Sequence, residues 1–350
     1  MSSMSTTMKS NASKNHRWRF LAALCLVSLG WAISAPAQQP AVPDTIRIGS
    51  MPWVGWAALD VAEDQGIWQD LGLEVKVVHY DNSYLMHDAM FIGELDLALA
   101  MLGQIIHVHH EMKPVVVLGQ TNWSHGGDVL MVQPDFNIIA APLHTPLGIY
   151  VDGAALPYFL DLALTRAGAF LENFRLVVVR EDEMVSQFKA GRIKAGVFFG
   201  PYALDVAAAG GEALATSADF PGCIPEGMYA FRDHYQSFDH GQLVNINRGW
   251  IQAVAWLNDP ANQREFYRIL RERTLQGMGT FSDADLKTML EAVRPHDPAA
   301  LKELNSPDGA TAEYLLHIQN PAYCHHETVN LTNILDTRPL MDALAAEAGE

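Results

Sequence analysis

Two tryptophans occupy a position in the chain at which a ligand could be bound. Trp53 and Trp56 follow a short apolar run that begins at Ile46, and they precede an amphipathic helix that ends near Gly72. A second apolar run, up to Val78, completes a strand-helix-strand unit whose two strands must be parallel. Ligands of parallel sheets bind at the carboxyl ends of the strands, where aromatic side chains supply a large contact area. We therefore predict that at least one tryptophan lines a binding cleft; packing of the first helix against the sheet is the alternative.

Polar and small residues follow the next strands in the same way. Asn82 and Ser83 lie between the second strand and a helix, so Ser83 is a candidate helix cap and the free amides of that helix would face the cleft. Capping alone explains this pair equally well. Gly103 ends the third strand, where the lack of a side chain would let a ligand approach the backbone. A hydroxyl, an amide and an indole follow the fourth predicted strand, Val115–Gly119, at Thr121, Asn122 and Trp123.

The histidines offer a competing interpretation. On a helix, His107, His110 and Glu111 would share one face, and Cys324-His325-His326 forms a second group near the C-terminus. Structural zinc sites usually contain two spaced pairs of ligands, and neither group has that form. We therefore predict no metal site and no cofactor, with the histidines in solvated helix and loop positions.

Catalytic signatures are missing from the sequence. It contains no Gly-x-Ser-x-Gly, no phosphate-binding glycine-rich loop that ends in Lys-Ser or Lys-Thr, and no His-Glu-x-x-His. We therefore predict that the protein is not an enzyme and has no catalytic residues.

Strands and helices alternate along most of the chain, with Ala195–Phe199 among the predicted strands. This alternation predicts an α/β fold with helices on both faces of each sheet. A first lobe would comprise residues 45–135 and 230–350, and a second lobe residues 136–229. The irregular stretch Gln133–Pro146, which contains three prolines, is the predicted first crossover between the lobes. The strand Met228–Phe231 would return the chain to the first lobe, and the segments beyond it are predicted to be helical.

Residues 1–37 have the three regions of a secretory signal peptide. Basic residues without any acidic residue precede the apolar run Phe20–Ile33, and Ala35-Pro36-Ala37 forms the cleavage site. We therefore predict export to the periplasm. Removal of this segment takes away four positive charges and changes the formal net charge from −17 to −21. A surface so acidic repels phosphate backbones and anionic lipids, so nucleic acid is not a predicted partner.

Two cysteines, Cys223 and Cys324, remain in the exported chain. An oxidising compartment allows them to form a disulfide, and two isolated buried thiols are the alternative. The sequence leaves both possibilities open.

Five segments within residues 45–205 share their order and spacing with a known family. They are IRIGSMPWVGWAALDVAEDQGIW with LGLEV, FIGELDLALAMLG, NWSHGGDV, VSQFKAGRIKAGVFF, and the Gly200-Pro201-Tyr202 that follows. In these segments the chain resembles the substrate-binding proteins of ABC importers in the nitrate/sulfonate/taurine group, which also includes binding proteins for thiamine-pyrimidine precursors. The C-terminal third carries weaker signals.

The resemblance implies a bilobal periplasmic-binding-protein fold of type II, with two crossovers as the hinge. It implies a solute-binding protein that delivers a small molecule to the membrane permease of an ABC importer, and we expect it to be a monomer. Two alternatives stay open. Some relatives with this fold are enzymes, namely a pyrimidine synthase and a desulfinase, and a ligand-responsive protein that docks on a sensor would have the same sequence pattern.

The resemblance also adds candidate ligand-binding residues. In the family, the region of Asp128 forms part of the pocket rim. Phe199 and Tyr202 lie where the family often has an acidic residue before proline and tyrosine, and here Gly200 takes the place of that acidic residue. In the second lobe, Asp152 leads into a helix that carries Tyr158 on its first turn, and capping by Asp152 does not exclude ligand contact.

The candidate loops are rich in aromatic residues and contain no Arg or Lys. Nitrate and small sulfonates are usually bound by guanidinium groups or by several convergent donors. We therefore predict a planar, heteroaromatic ligand such as a pyrimidine, although helix N-termini alone can hold an anion.

Overall fold

The structure, a computed structural model, describes residues 45–349. The predicted signal peptide, residues 1–37, lies outside the described residues. The strands are β1 (Ile46–Ser50), β2 (Val75–His79), β3 (Leu97–Met101), β4 (Val115–Ser124), β5 (Asp128–Val132), β6 (Thr145–Ile149), β7 (Phe174–Val178), β8 (Ala195–Phe199), β9 (Glu212–Thr216), β10 (Pro225–Phe231) and β11 (Val293–Pro295).

Helices connect and cover these strands. They are α1 (Ala57–Asp64), α2 (Ile67–Asp70), α3 (Ser83–Phe91), α4 (Leu102–Glu111), α5 (Ala155–Ala167), α6 (Glu181–Lys189), α7 (Gly200–Ala208), α8 (Arg232–Tyr235), α9 (His240–Leu257), α10 (Gln263–Ile269), α11 (Asp283–Glu291), α12 (Pro298–Leu304), α13 (Ala310–His317), α14 (Leu331–Ile334) and α15 (Arg338–Ala348). A π-helical turn, Leu270–Thr274, follows α10, and short 3₁₀ turns include Val54–Trp56. No helix among residues 45–349 is long and apolar enough to cross a membrane.

The first sheet has the strand order β11-β4-β10-β3-β1-β2. β1 is parallel to β2 and β3, which confirms the predicted strand-helix-strand unit at the start of the described chain. β10 runs antiparallel between β3 and β4. The central strand β3 is buried at every position, as its uninterrupted apolar sequence Leu-Ala-Leu-Ala-Met requires. The two sheets and their covering helices confirm the predicted α/β class.

The second sheet has the order β7-β6-β8-β5-β9, with β6 parallel to β7 and β8, and β5 antiparallel to β8 and β9. The strand Asp128–Val132 therefore belongs to the second sheet, whereas the predicted boundaries assign it to the first lobe. The first crossover between the sheets lies between Ser124 and Asp128, because Gln133–Pro146 only connects β5 to β6. The chain returns to the first sheet between Thr216 and Pro225. These two crossovers are the only ones in residues 45–349.

Strand β4 is longer than its sequence suggests. The prediction ends this strand at Gly119, whereas the observed strand continues to Ser124 because β10 and β11 pair along its two edges. Gly119 adopts a φ of 144°, and the pairing with β10 is irregular at this point. Thr121, Asn122 and Trp123 are consequently strand residues rather than loop residues.

Candidate functional site

A small buried cavity lies between the two sheets. Five sequence-predicted residues line it: Trp53, Trp56, Ser83, Asp128 and Phe199. Six further lining residues were missed by the sequence analysis: Met51, Met101, Gln104, Tyr150, Val151 and Glu226. All eleven lining residues are buried, and none is Arg, Lys or His. The cavity therefore combines aromatic walls with acidic and neutral polar groups.

The topology explains why these residues converge. Met51 directly follows β1, Met101 ends β3 and Phe199 ends β8, so each lies at the carboxyl end of a parallel strand. Asp128 and Glu226 come from the amino-terminal ends of the antiparallel strands β5 and β10. In register, Asp128 lies opposite Phe199, and Glu226 lies opposite Met101. The cavity is thus at the edge of each sheet where ligands of α/β proteins bind.

Glu226 organises the aromatic side of the cavity. Its Oε2 accepts hydrogen bonds from Trp53 Nε1 at 2.9 Å, from Trp56 Nε1 at 2.7 Å, and from Asn122 Nδ2. Both indole N–H groups are buried and require an acceptor, which a carboxylate inside the sheet supplies. The two tryptophans therefore line the cavity together, with their orientation set by Glu226.

Glu226 was missed because its strand is predicted to begin only at Met228. A signal was nevertheless present, because Glu226 is the only charged residue in the sequence Pro-Glu-Gly-Met-Tyr-Ala-Phe. In the structure every residue of this strand is buried. A carboxylate in such a strand is unusual, because a buried charge is costly unless it is hydrogen-bonded. What the sequence lacks is the identity of its three donors, since they lie more than 100 residues away along the chain.

Trp53 also contacts the second sheet. Its ring meets the ring of Phe199 edge to face, with 5.7 Å between the centroids. Gly127 makes room for the indole, because a Cβ atom at this position would lie 2.2 Å from Trp53 Cη2. Trp53, which follows β1 of the first sheet, thus packs against Phe199 of the second sheet and against Gly127, which directly precedes β5.

Asp128 is the acidic group on the opposite side. Its Oδ1 accepts a hydrogen bond from the Tyr150 hydroxyl, and its backbone N–H donates to Ser124 Oγ at 3.0 Å. The Tyr150 ring packs against Phe199 with 4.6 Å between the centroids. A second aromatic-carboxylate pair therefore faces the cavity from the second sheet.

Both carboxyl groups are hard to ionise in this environment. Burial raises the pKa of Glu226 to about 7, with a hydrogen bond from Trp53 acting in the opposite direction and the charge of Asp128 adding to the rise. Burial likewise raises the pKa of Asp128 to about 6, against the hydrogen bonds with Ser124 and Tyr150. No Arg or Lys of residues 45–349 lines the cavity beside either group.

Two neutral polar side chains, Ser83 and Gln104, line the cavity. Asn82, not Ser83, caps helix α3, because the Asn82 side chain accepts a hydrogen bond from Leu85 N at 3.0 Å. The prediction that Ser83 caps this helix is therefore wrong, and its hydroxyl is free to face the cavity. Ser83 and Gln104 are only 3% and 4% exposed, and both line the cavity.

The cavity is small in the present arrangement of the two sheets. Its volume is about 20 Å³, roughly the minimum that holds one water molecule. Trp53 occupies much of the space between the sheets, packed against Phe199 and the Gly127 backbone. A ligand larger than water therefore requires the two sheets to separate or the indole to move.

The remaining predicted residues of the first lobe lie next to the cavity or away from it. Asn122 is buried and contacts the cavity only through Glu226, while Thr121 Oγ1 donates to Asn122 Oδ1 at 2.8 Å. Trp123 points elsewhere and packs against His296, with 4.8 Å between the ring centroids. The structure thus separates Trp123 from the other two tryptophans.

The predicted residues of the second lobe are also divided. Tyr202 packs behind Phe199, at 5.4 Å between the centroids, and Tyr158 packs against Tyr314 and Tyr323. Neither tyrosine lines the cavity described above.

Gly103 and Asp152 line a second, larger cavity of about 290 Å³ beside the first. This second cavity also contacts His107 and the segment Tyr323–His326. Several of its lining residues are half-buried or exposed, whereas the lining of the smaller cavity is entirely buried. The buried, polar and aromatic cavity is therefore the better candidate for a specific ligand site.

The structure brings the two histidine groups together. His107 Nδ1 lies 3.2 Å from His326 Nε2, His110 stacks on His326 with 4.7 Å between the centroids, and Glu111 lies 3.7 Å from His326 Nδ1. Within residues 45–349, no group of three or more His, Cys, Asp or Glu side chains is arranged to hold a metal ion. The proposal that the protein needs no metal stays a prediction.

Treatment with a strong chelator should leave the melting temperature and ligand affinity unchanged, because the histidine cluster lacks the geometry of a metal site. Thermal denaturation before and after chelation, with calorimetry of ligand binding, measures both. A large drop in melting temperature that one equivalent of zinc or copper restores would contradict this prediction.

The two cysteines are buried free thiols. Of the two possibilities that the sequence leaves open, the structure contains the isolated thiols rather than the disulfide.

Comparisons with known proteins agree with this fold. Residues 144–271 match the NMT1-like family. Over 248 residues, 65% of this chain, the sequence is 25% identical to the nitrate import ATP-binding protein NrtC of Synechococcus elongatus. The chain spans 37% of the length of that curated relative.

Solved structures resemble the chain over most of its length. The alkanesulfonate-binding protein SsuA from Xanthomonas axonopodis pv. citri, bound to MOPS, has a TM-score of 0.66 at 14% identity, with 85% of this chain and 99% of that chain covered. The periplasmic nitrate-binding protein NrtA from Synechocystis PCC 6803 has a TM-score of 0.65 at 15% identity, with 88% and 89% covered. These matches confirm the predicted resemblance and the fold of periplasmic binding proteins.

Proposed function

We propose that the protein is a periplasmic solute-binding protein that captures a small, planar or heteroaromatic organic ligand between two lobes and delivers it to the permease of an ABC importer. The observation that carries this proposal is the buried cavity to which both sheets contribute aromatic and polar side chains. The protein would act as a monomer and without chemical conversion of the ligand. The binding proteins that share its fold support this role.

The two lobes would correspond to the two sheets. The first lobe would contain the strands up to Ser124 and from Pro225 onward, and the second lobe those from Asp128 to Thr216. The short connections between these ranges would form the hinge. This division moves Asp128–Val132 from the first lobe to the second, relative to the sequence-based boundaries.

Ligand binding would favour the closed arrangement of the lobes. Direct contacts already link them: Ala154 N donates to Gly103 O at 3.1 Å, and the Tyr84 hydroxyl donates to Asp152 Oδ2 at 3.2 Å. A ligand that contacts Trp53 and Asp128 at the same time would stabilise only the closed state. The permease would then recognise the closed, loaded form.

This function predicts that a small molecule binds and is recovered unchanged. Native mass spectrometry of protein freshly purified from the periplasm should detect a copurifying ligand. A thermal-shift screen of pyrimidines, sulfonates and other heteroaromatics should find a compound that raises the melting temperature. Recovery of a chemically altered product with catalytic turnover would instead favour the enzyme alternative.

A further inference from the structure

We propose that the ligand of the buried cavity is an organic cation that carries N–H donors, such as an amidinium or a protonated amino-heterocycle, and that Glu226 and Asp128 bind its positive charge. This inference rests on the proposed function, because it assigns a charge class to the ligand of the same site. It differs from the anions named for SsuA and NrtA, the proteins of similar fold.

Two buried carboxyl groups line the cavity, and no basic side chain of the described residues lines it with them. Glu226 and Asp128 line it from the two sheets and are 3% and 1% exposed. Buried carboxylates are normally paired with a cation, because an isolated buried charge costs several kcal/mol. Neither has such a partner among residues 45–349, and no Arg, Lys or His lines the cavity. A ligand cation would complete both pairs, whereas an anion would meet two like charges.

The Glu226 carboxyl group can accept a further hydrogen bond. All three donors to Glu226 bind Oε2, so Oε1 has no donor from residues 45–349. The Asp128 carboxylate already has hydrogen bonds with Tyr150 and Ser124, so its contribution is mainly its charge. A ligand with N–H groups can donate to Glu226 Oε1, which a fully substituted ammonium cannot. Ser83 and Gln104, both buried, add a hydroxyl and an amide to the lining of the same cavity.

The walls of the cavity are aromatic. Trp53, Trp56, Tyr150 and Phe199 surround the carboxylates with aromatic rings. Ring faces attract cations, and the attraction strengthens when water is excluded. A planar cation can stack on an indole and still direct its N–H groups in its own plane toward the carboxylates. The aromatic lining and the acidic groups therefore favour the same ligand class.

Two matched series of compounds test the charge. Benzamidine, benzamide and benzoate share a ring and a planar head group but are cationic, neutral and anionic, and acetamidine, acetamide and acetate form a smaller series of the same kind. We expect at least one amidine to raise the melting temperature and to bind in calorimetry at least about tenfold more tightly than its amide, as for hydrogen bonds to charged groups. The carboxylates should not bind.

Variants assign the effect to the site. Glu226→Gln keeps the shape of the side chain and removes its charge, so it should reduce or abolish the tenfold preference for amidine over amide. Asp128→Asn removes the charge of the other carboxyl group and tests the same preference independently if Glu226→Gln is unstable. Glu291→Gln, at a side chain that is 67% exposed, removes a surface carboxylate and should retain the preference.

The preference should also depend on pH. Glu226 faces Asp128 and Tyr150, and Tyr150 in turn interacts with Glu181. Because burial raises the pKa of Glu226 to about 7 and that of Asp128 to about 6, both groups take up protons as the pH falls through this range. The amidinium stays charged, so its affinity should rise with pH from 5.5 to about 8 and then level off. Amide affinity should change little.

The outcomes separate this inference from the proposed function. If no amidine stabilises the protein, or if an amide or carboxylate binds as tightly as its amidine, the cation proposal is wrong. Recovery of an unchanged anionic ligand by native mass spectrometry would overturn the cation proposal and leave the receptor proposal standing. Catalytic conversion of the amidine at this site would overturn the receptor proposal but not the charge assignment.

Discussion

Replacement of Gly103 by alanine is expected to weaken ligand binding roughly ten- to a hundredfold while leaving each lobe folded. A Cβ atom at this position would lie 2.6 Å from the backbone nitrogen of Ala155 and 2.9 Å from its Cα. Gly103 belongs to α4 beside the first sheet, and Ala155 begins α5 beside the second. The added methyl group would therefore hold the proposed lobes apart and oppose the closed form that binds the ligand.

Gly241→Ala provides a matched control. Gly241 is the second residue of α9, as Gly103 is of α4, and it is exposed. Alanine favours a helix over glycine at both positions, so neither variant should lose helix stability. Calorimetry should show weak binding only for Gly103→Ala, and small-angle scattering in the presence of ligand should show a larger radius of gyration for that variant. Wild-type affinity and scattering for Gly103→Ala would exclude this contact as part of closure.

Replacement of Trp53 by alanine should weaken binding by about 1–3 kcal/mol, by analogy with aromatic stacking on nucleobases. This corresponds to a dissociation constant roughly ten- to a hundredfold higher. The indole lines the cavity, donates to Glu226 and contacts Phe199 of the second sheet. Trp56→Ala should have an effect in the same direction, since Trp56 lines the cavity and donates to the same carboxylate oxygen.

Trp123→Ala is the control for the tryptophan variants. Trp123 is a predicted ligand-binding residue, but its ring packs against His296 and does not line the cavity. We expect this variant to bind with wild-type affinity. Circular dichroism and melting temperature must accompany the titrations, because loss of a buried tryptophan also costs stability, about 3–5 kcal/mol. If the Trp53 and Trp56 variants fold and bind like wild type, the ligand site lies elsewhere.

Local patterns in the sequence were sufficient for most of the elements. The strand Ala195–Phe199 has the predicted bounds, and the apolar runs around Gly72 form the predicted parallel pair β1 and β2. Such elements are predictable because the strand period, glycine at turns and proline at helix starts act over a few residues. The positions of Trp53 and Phe199 at strand ends follow from the same local patterns.

Pairing between distant strands was not predictable in this way. The continuation of β4 to Ser124 depends on β10 and β11, and the placement of Asp128–Val132 depends on β8 and β9. A strand that can pair in either sheet carries no local signal of its partner. For this reason the first crossover was predicted too late in the chain.

The α/β class, the resemblance to periplasmic binding proteins and the aromatic residues at the ends of strands are all evident from the sequence. Which of those residues meet depends on the tertiary fold. It joined Trp53 and Trp56 to Glu226, more than 150 residues away, and separated Trp123 from both. The physical reason is that periodicity and turn preferences act within a few residues, whereas the partner of a buried carboxylate is set by strand order and register.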